Sequence, residues 1–285
     1  MDQAILNELV AVTGPDGNVG APLVSLLQAK GLAVRRLVRS DGKQDPDLLS
    51  RHFDFNDPNT FRDAFEGVKA LFLMRPPAIS DSKLIASAID AAITAGVQRI
   101  TFLSIQGAEK NPLVPHYAIE QHLRRTAIAW TFLRAAFFMQ NLTTTHRDDI
   151  REHDDLLMPA GNGRTAFVDV RDVAAAAAIT LTGNGHVNKA YELTGSTAPT
   201  YAEVAVILSH ALGRTIRYTP SVFRFWRRMR DRGQPVPFIL VMIALYTAAR
   251  LGRAGHLTDD LPQLTGRPAI TLEQFATDSV GLWRR

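Results

Sequence analysis

The sequence predicts an α/β fold, a doubly wound parallel sheet with a smaller mixed, mostly helical C-terminal lobe. Short β-branched and aromatic runs alternate with stretches whose apolar residues recur at helical spacing, the pattern of repeated strand–helix–strand units. The first such run enters a glycine turn that opens a helix. A chain of 285 residues can hold one large domain of this kind with a sizeable core. We divide it at 1–150, the sheet domain, and 151–285, the smaller lobe, with some segments returning to the first domain.

Leu9-Val10-Ala11-Val12-Thr13 reads as a buried strand. Gly14-Pro15-Asp16-Gly17-Asn18-Val19-Gly20 is the turn, and Leu23, Val24, Leu26 and Leu27 mark one face of the helix after it. Pro22 suits a first helical turn, where its missing N–H costs little. Gly31 ends the helix and Ala33–Val38 reads as the second strand. Arg51–Phe55 reads as the third strand, Pro58–Glu66 as a helix and Val68–Leu73 as the fourth strand. Met74-Arg75-Pro76-Pro77 then stops that strand, since proline neither continues a ladder nor permits immediate helix. A helix over Ser80–Ala95 and strands at Arg99–Ser104 and Trp130–Arg134 continue the alternation. Beyond residue 150 the pattern loosens. Arg164–Val170 leads into an alanine-rich helix, Tyr191–Leu193 is a short strand, Thr200 and Glu203 have capping-box spacing, and helix dominates from Val222.

The turn carries the functional reading. Gly14 lets the chain leave the strand tightly, Gly17 keeps a Cβ away from an approaching pyrophosphate, and Gly20 lets the helix pack closely on the sheet. Phosphates suit the helix N-terminus, where unpaired N–H groups and the helix dipole favour an anion. We therefore assign Gly14, Pro15, Asp16, Gly17, Asn18, Val19 and Gly20 to a dinucleotide. After the second strand the sequence offers Arg39 and Ser40, with Lys43 further on, where an NAD-preferring site offers an acid. This predicts NADP(H) in preference to NAD(H). Asp54 and Phe55 are placed to meet the adenine, and Met74, Arg75 and Pro76 to flank a ribose.

The Gly14-x-x-Gly17-x-x-Gly20 turn after Thr13, Leu37-Val38-Arg39, Leu133-Arg134-x-x-Phe137-Phe138-Met139-x-Asn141, Phe167–Val173 and Tyr191–Gly195 occur in an order that resembles the NmrA-like atypical short-chain dehydrogenase/reductases. The resemblance spans about Val10 to Tyr218 and is strongest to the ergot-alkaloid-biosynthesis-type, quinone and triphenylmethane-dye reductases. It implies a Rossmann-like fold that binds NADP(H), and either a reductase or a nucleotide-sensing regulator acting through a protein partner.

The wider superfamily uses Tyr-x-x-x-Lys for proton transfer. Here the candidate is Tyr117-Ala118-Ile119-Glu120-Gln121, with no lysine. A tyrosine ordinarily titrates near 10, and a neighbouring carboxylate opposes its ionisation. Tyr117, His116 and Ser104 are the catalytic candidates. The missing proton-transfer pair points to electrophiles that accept hydride readily, such as quinones, azo dyes and iminium ions, for which position and a water-poor pocket suffice. Phe137, Phe138, Asn141 and Trp226 are the substrate candidates, with Phe225, Met242 and Tyr246 closing the pocket.

The composition sets further bounds. There is no cysteine, which excludes disulfides and thiol chemistry. The eight histidines show no metal-ligand spacing, so no metal is expected. Asp169 and Asp172 read as helix-capping residues, and Asp148-Asp149, Asp154-Asp155 and Asp259-Asp260 as solvated loop acids. The net charge is only +4. Arg214 to Gly233 holds seven arginines against one acid, Asp231, so the remainder is acidic on balance and nucleic acid is not an expected partner. Within it, Arg224 to Arg232, with Phe225 and Trp226 interleaved, reads as a solvated helix face whose aromatics pack inward, the alternative being a surface for phosphates, nucleic acid or a membrane. The apolar run Val236–Leu245 is too short to span a bilayer. The opening residues lack a secretory signal pattern, and the expected location is cytoplasmic.

Overall fold

Strands covered by helices on both faces must be apolar on both faces, and the central runs of this chain are. The computed structural model describes residues 8–39 and 49–285, so Ser40 and Lys43 lie outside the described residues. The first elements are β1 (Leu9–Thr13), α1 (Gly20–Ala29), β2 (Ala33–Val38), β3 (Leu49–His52), α2 (Phe61–Phe65), β4 (Val68–Met74), α3 (Ser82–Thr94), β5 (Arg99–Ile105), α4 (Pro115–Arg125) and β6 (Ala129–Ala135). Then come β7 (Phe137–Phe138), α5 (Arg147–His153), β8 (Asp155–Leu157), β9 (Phe167–Val168), α6 (Val170–Thr182) and β10 (Lys189–Leu193). The remainder is α7 (Tyr201–Leu212), β11 (Arg217–Thr219), α8 (Val222–Asp231), α9 (Val236–Arg250), α10 (Asp260–Thr265) and α11 (Leu272–Trp283).

Two compact units divide these elements. Of the described residues, the first unit takes those up to Ala135, with Val170–Leu193 and Gln263–Gly266; the second takes Ala136–Asp169, Thr194–Pro262 and Arg267–Arg285. The chain first changes unit at Ala135, ahead of the division at residue 150 read from sequence.

The first unit is a seven-stranded parallel sheet in the order β10-β6-β5-β4-β1-β2-β3. Six of those strands follow the Rossmann order, and the direction of winding reverses between β1 and β4. Only the outermost strands are open to solvent: β3 has no buried residue and β10 has one, Leu193. The third strand ends at His52, short of the Phe55 expected from sequence. Phe53 instead turns into an aromatic cluster, 4.7 Å from Phe55, 5.5 Å from Phe61 and 5.4 Å from Phe65 by ring centroids. Asp54 then accepts from the backbone N–H of Asn56 at 2.9 Å, closing a turn that no ladder can continue.

The second unit has a core of its own, in which α7 and α11 pack together and Phe225, Tyr246, Phe275 and Trp283 are buried. Thr200 caps α7 in the expected box with Glu203. Asp149 corrects the reading of the acids as solvated. It is fully buried, and Arg228 donates to it at 2.6 Å while Arg232 donates to both of its oxygens at 2.9 and 3.1 Å. Asp155 is buried as well, accepting from Thr219 at 2.6 Å. Sequence spacing cannot show this, because the arginines come from α8 and its C-cap and the acids from α5 and β8. Beside Asp149, His146 shares a 2.6 Å hydrogen bond with the Tyr246 hydroxyl. Burial, then the Arg232 charge, pulls the His146 imidazole down to about 3.

Asp149→Ala strands two arginines, and breaking a partly buried pair of this kind is expected to cost about 3 kcal/mol. Thermal unfolding followed by circular dichroism should show Tm lower by about 6–10 °C. Buried neutral histidines also impose an acid limit. Both His146 and His116, the latter pulled down to about 4 by burial and then by the Arg75 charge, titrate lower in the folded chain than the ordinary 6.5. Their contribution is whole above that value and is lost as pH falls below it, because the unfolded chain takes up the protons first. Urea unfolding is expected to lose about 2 kcal/mol per histidine between pH 6.5 and 5. His146→Gln should roughly halve that pH slope, and an unchanged slope would remove His146 from the account.

Candidate functional site

A cleft of about 600 Å³ opens in the first unit where the winding reverses, at the carboxyl ends of β1, β2 and β4. Open parallel sheets bind ligands at this place because the loops from neighbouring strands diverge there. Thr13 holds the edge of the cleft: its hydroxyl donates to the Phe72 carbonyl at 3.1 Å and accepts from the Met74 N–H at 2.8 Å, tying β1 to β4.

The turn after Thr13 is built around two glycines. Gly14 has φ +60°, and a Cβ there would lie 2.4 Å from the Met74 methyl carbon. A Cβ on Gly20 would lie 2.0 Å from the Gly14 carbonyl oxygen and 2.9 Å from the Pro15 Cα. Gly20 therefore serves close approach of the helix to its own turn, where the sequence suggested approach to the sheet. Gly17 closes the turn by donating its N–H to the Gly14 carbonyl at 3.0 Å. The first turn of α1 carries no acidic residue and no side chain caps it, so its positive end is left for a ligand.

Of the residues assigned to the cofactor, Gly14, Pro15, Asp16, Gly17, Arg39, Asp54, Phe55, Met74 and Pro76 line this cleft. Asn18, Val19 and Gly20 are not among the lining residues; they stand in the turn and at the start of α1. Asp16 forms an ion pair with Arg36 of β2. Arg39 is exposed and has no acidic ion-pair partner among the described residues. It helps to hold the nearby Asp54 carboxyl below the usual carboxylate range, after the Asn56 N–H, which is the larger cause. Arg75 is turned away: its guanidinium donates to the carbonyls of Pro76 and Ile79, bracing its own loop. Beyond that loop, Ile79, Ser80, Asp81 and Leu84 also line the cleft. They were missed because a loop after proline carries no periodic signal, although Asp81 does show as the cap of α3, accepting from the Lys83 N–H at 2.9 Å.

Ser104, at the end of β5, is buried and its hydroxyl donates to Glu120 at 2.7 Å. Glu120 on α4 is fully buried and grips Arg134 of β6 in a two-point pair, 3.0 Å from Nε and 2.6 Å from Nη2. Arg134 also meets Glu109 at 3.2 Å. The Glu120 charge is thus matched by an arginine and does not stand bare beside Tyr117, as the sequence implied. Tyr117 is half-buried, and its hydroxyl has no hydrogen-bond partner among the described residues. His116 is buried, with its ring 6.0 Å from Phe102, and its low titration makes it a neutral imidazole at physiological pH. As such it is a poor general acid.

The substrate candidates fall in the second unit. Phe137 and Phe138 form β7, paired in parallel with β9, and Phe137 lies edge-on to Phe167 at 5.5 Å. Asn141 follows in a 3-10 turn, its carbonyl accepting from the His146 N–H at 3.0 Å. Trp226 packs on the core of that unit while half-exposed. Phe225, Met242 and Tyr246 are corrected from pocket lining to buried core.

With this geometry in view, comparison with known proteins is specific. The NAD(P)H azoreductase of Xenophilus azovorans is 35% identical over 278 residues, covering 94% of this chain and 96% of the relative. The triphenylmethane reductase of a Citrobacter species, solved in complex with NADP(H), superposes with a TM-score of 0.83 at 31% identity, covering 95% of this chain and 99% of the other. The NADPH-dependent quinone oxidoreductase of Escherichia coli, solved with NADPH, gives a TM-score of 0.85 at 26% identity over 94% of this chain and 99% of the other. The NmrA-like family model itself matches residues 6–250, which take in the glycine turn, the Ser104–Glu120–Arg134 group and α8 and α9, and the chain belongs to that family.

Proposed function

We propose that this chain is an NADP(H)-dependent reductase that transfers a hydride to a planar, hydrophobic electrophile of the quinone, dye or iminium kind. The observation that carries the reading is the cleft itself: a tight glycine turn that leaves no room for a Cβ at Gly14 or Gly20, with Arg39 exposed on its rim and held in no ion pair among the described residues. Relatives named for reduction of azo compounds, triphenylmethane dyes and quinones support the substrate class.

The turn from Gly14 and the start of α1 would hold the pyrophosphate, and Arg39 the 2′-phosphate that distinguishes NADP(H). Phe53 and Phe55, locked in their aromatic cluster, give the adenine side a rigid wall. When bound, the nicotinamide supplies the hydride. Among the described residues at this site, no side chain stands ready as an acid. The single hydroxyl proton of Ser104 is directed at Glu120, so this buried serine is not free to protonate a substrate. His116 is neutral, and no lysine stands four residues after Tyr117. A substrate that delocalises the incoming charge and takes its later proton from water fits this site better than a simple ketone, which needs the proton during transfer.

The test is loss of reduced-nicotinamide absorbance when the purified protein meets NADPH and a panel of quinones, azo and triphenylmethane dyes and cyclic iminium compounds. Turnover on any of these classes is the expected result. Tight NADPH binding with no turnover would replace the enzyme by a regulator that senses the nucleotide, and absence of binding would overturn the cofactor reading. Arg39→Asp is expected to weaken NADPH about tenfold to a hundredfold in calorimetry while changing NADH little. Equal losses for both would remove its phosphate role. Tyr117→Phe should slow turnover by less than about tenfold if water supplies the proton, and a thousandfold loss would make the tyrosine the acid.

A further inference from the structure

The second unit carries exposed apolar and cationic side chains on two helices that pack against each other, α8 and α9. The helix α9 is apolar all round for most of its 15 residues. Ile239, Met242, Tyr246 and Ala249 face the core, and this leaves Leu240 and Val241 outward, 54% and 58% exposed, with the exposed Leu245 at the flank. An outward face of this kind on a water-surrounded helix marks an interaction site. On α8, Phe223, Arg227 and Arg230 share the face opposite the buried Phe225 and Met229, and Phe223 is 73% exposed.

Charge accompanies the apolar groups. Between residues 222 and 253 there are seven arginines and a single acid, Asp231. Arg228 and Arg232 neutralise the buried Asp149, and Arg227 lies 3.9 Å from Asp231. Arg224, Arg230 and Arg253 have no acidic partner among the described residues. The surface therefore calls for a partner that is negatively charged and apolar together.

We propose that α8 and α9 form a docking surface for an anionic lipid bilayer, lying in the headgroup region without crossing it. At about 1.5 Å per residue α9 is about 22 Å long, shorter than the ~30 Å hydrocarbon core. Among the described residues no helix is long and apolar enough to cross a membrane. Bilayer is favoured over an acidic protein by what the outward face of α9 lacks. Its one hydroxyl there, Thr247, is bonded back to the Ile243 carbonyl at 2.7 Å, so the apolar face of α9 itself, apart from the arginines of α8, offers no directional group for a protein partner to read. Lipid needs none, and arginines flanking an apolar face match phosphate headgroups over acyl chains.

The test is co-sedimentation of the full-length protein with vesicles of phosphatidylcholine alone and of phosphatidylcholine mixed with phosphatidylglycerol, at low and high salt. It requires neither cofactor nor substrate, so its outcome is separate from the reductase reading. Binding is expected with the mixed vesicles, at least about tenfold tighter than with phosphatidylcholine, and weakened by salt. The triple variant Arg224→Glu, Arg227→Glu, Arg230→Glu should lose at least about a hundredfold. The variant Leu240→Ser, Val241→Ser should lose about tenfold. Both should melt as the parent does, since every changed side chain is exposed. No sedimentation with either vesicle at low salt, or unchanged binding by both variants, overturns the proposal. A dimer on size exclusion that Leu240→Ser, Val241→Ser dissolves, without vesicle binding, would assign the face to a second copy of this chain instead.

Discussion

A carbonyl oxygen stands where the side chain of residue 20 would be. That contact between Gly14 and Gly20 sets how the first strand hands over to the first helix, and everything at the mouth of the sheet is measured from it. With the turn drawn in, Thr13 can bridge to Phe72 and Met74, and the ends of β1 and β4 part around a cleft. Any larger residue at position 20 would move backbone rather than a flexible side-chain end, and the positive end of α1 would move with it.

Most of the architecture was readable from local signals. Apart from the third strand, which runs Leu49–His52 rather than on to Phe55, the strands of the sheet, the break at Gly31, the capping box at Thr200 and the parallel alternation lie where periodicity and turn chemistry put them, because each depends on residues close in sequence. What was not readable involves partners far apart in the chain. Asp149 looks like a loop acid until Arg228 and Arg232 arrive from α8, and the arginine-rich segment looks uniformly solvated until two of its members are found neutralising that acid. The candidate site divides in the same way. The glycine turn, Arg39 and Phe55 could be named from position in a strand–turn–helix unit, whereas the engagement of Arg75 with its own loop depends on where a guanidinium folds back.

The Ser104–Glu120–Arg134 group shows how an electrostatic arrangement narrows chemistry. A buried carboxylate is costly unless it is paired and hydrogen-bonded, and here Arg134 and Ser104 together satisfy it. The consequence is a rigid end to β5 whose hydroxyl is already committed as a donor. A hydroxyl held in this way protonates a ligand poorly, which is why substrate electronics rather than side-chain acidity governs the proposed reaction.

The interleaving of the two units along the chain has a further consequence for how the protein is made. The sheet of the first unit gains β10 only after residues 136–169, which belong to the second unit, have been synthesised. The second unit in turn relies on Trp283, whose indole N–H donates to the Leu142 carbonyl at 3.0 Å across a separation of 141 residues. Neither unit is therefore complete while the other is absent from the ribosome, and folding must close long loops late, a topology associated with slow folding and with partly folded states that expose unpaired strand edges.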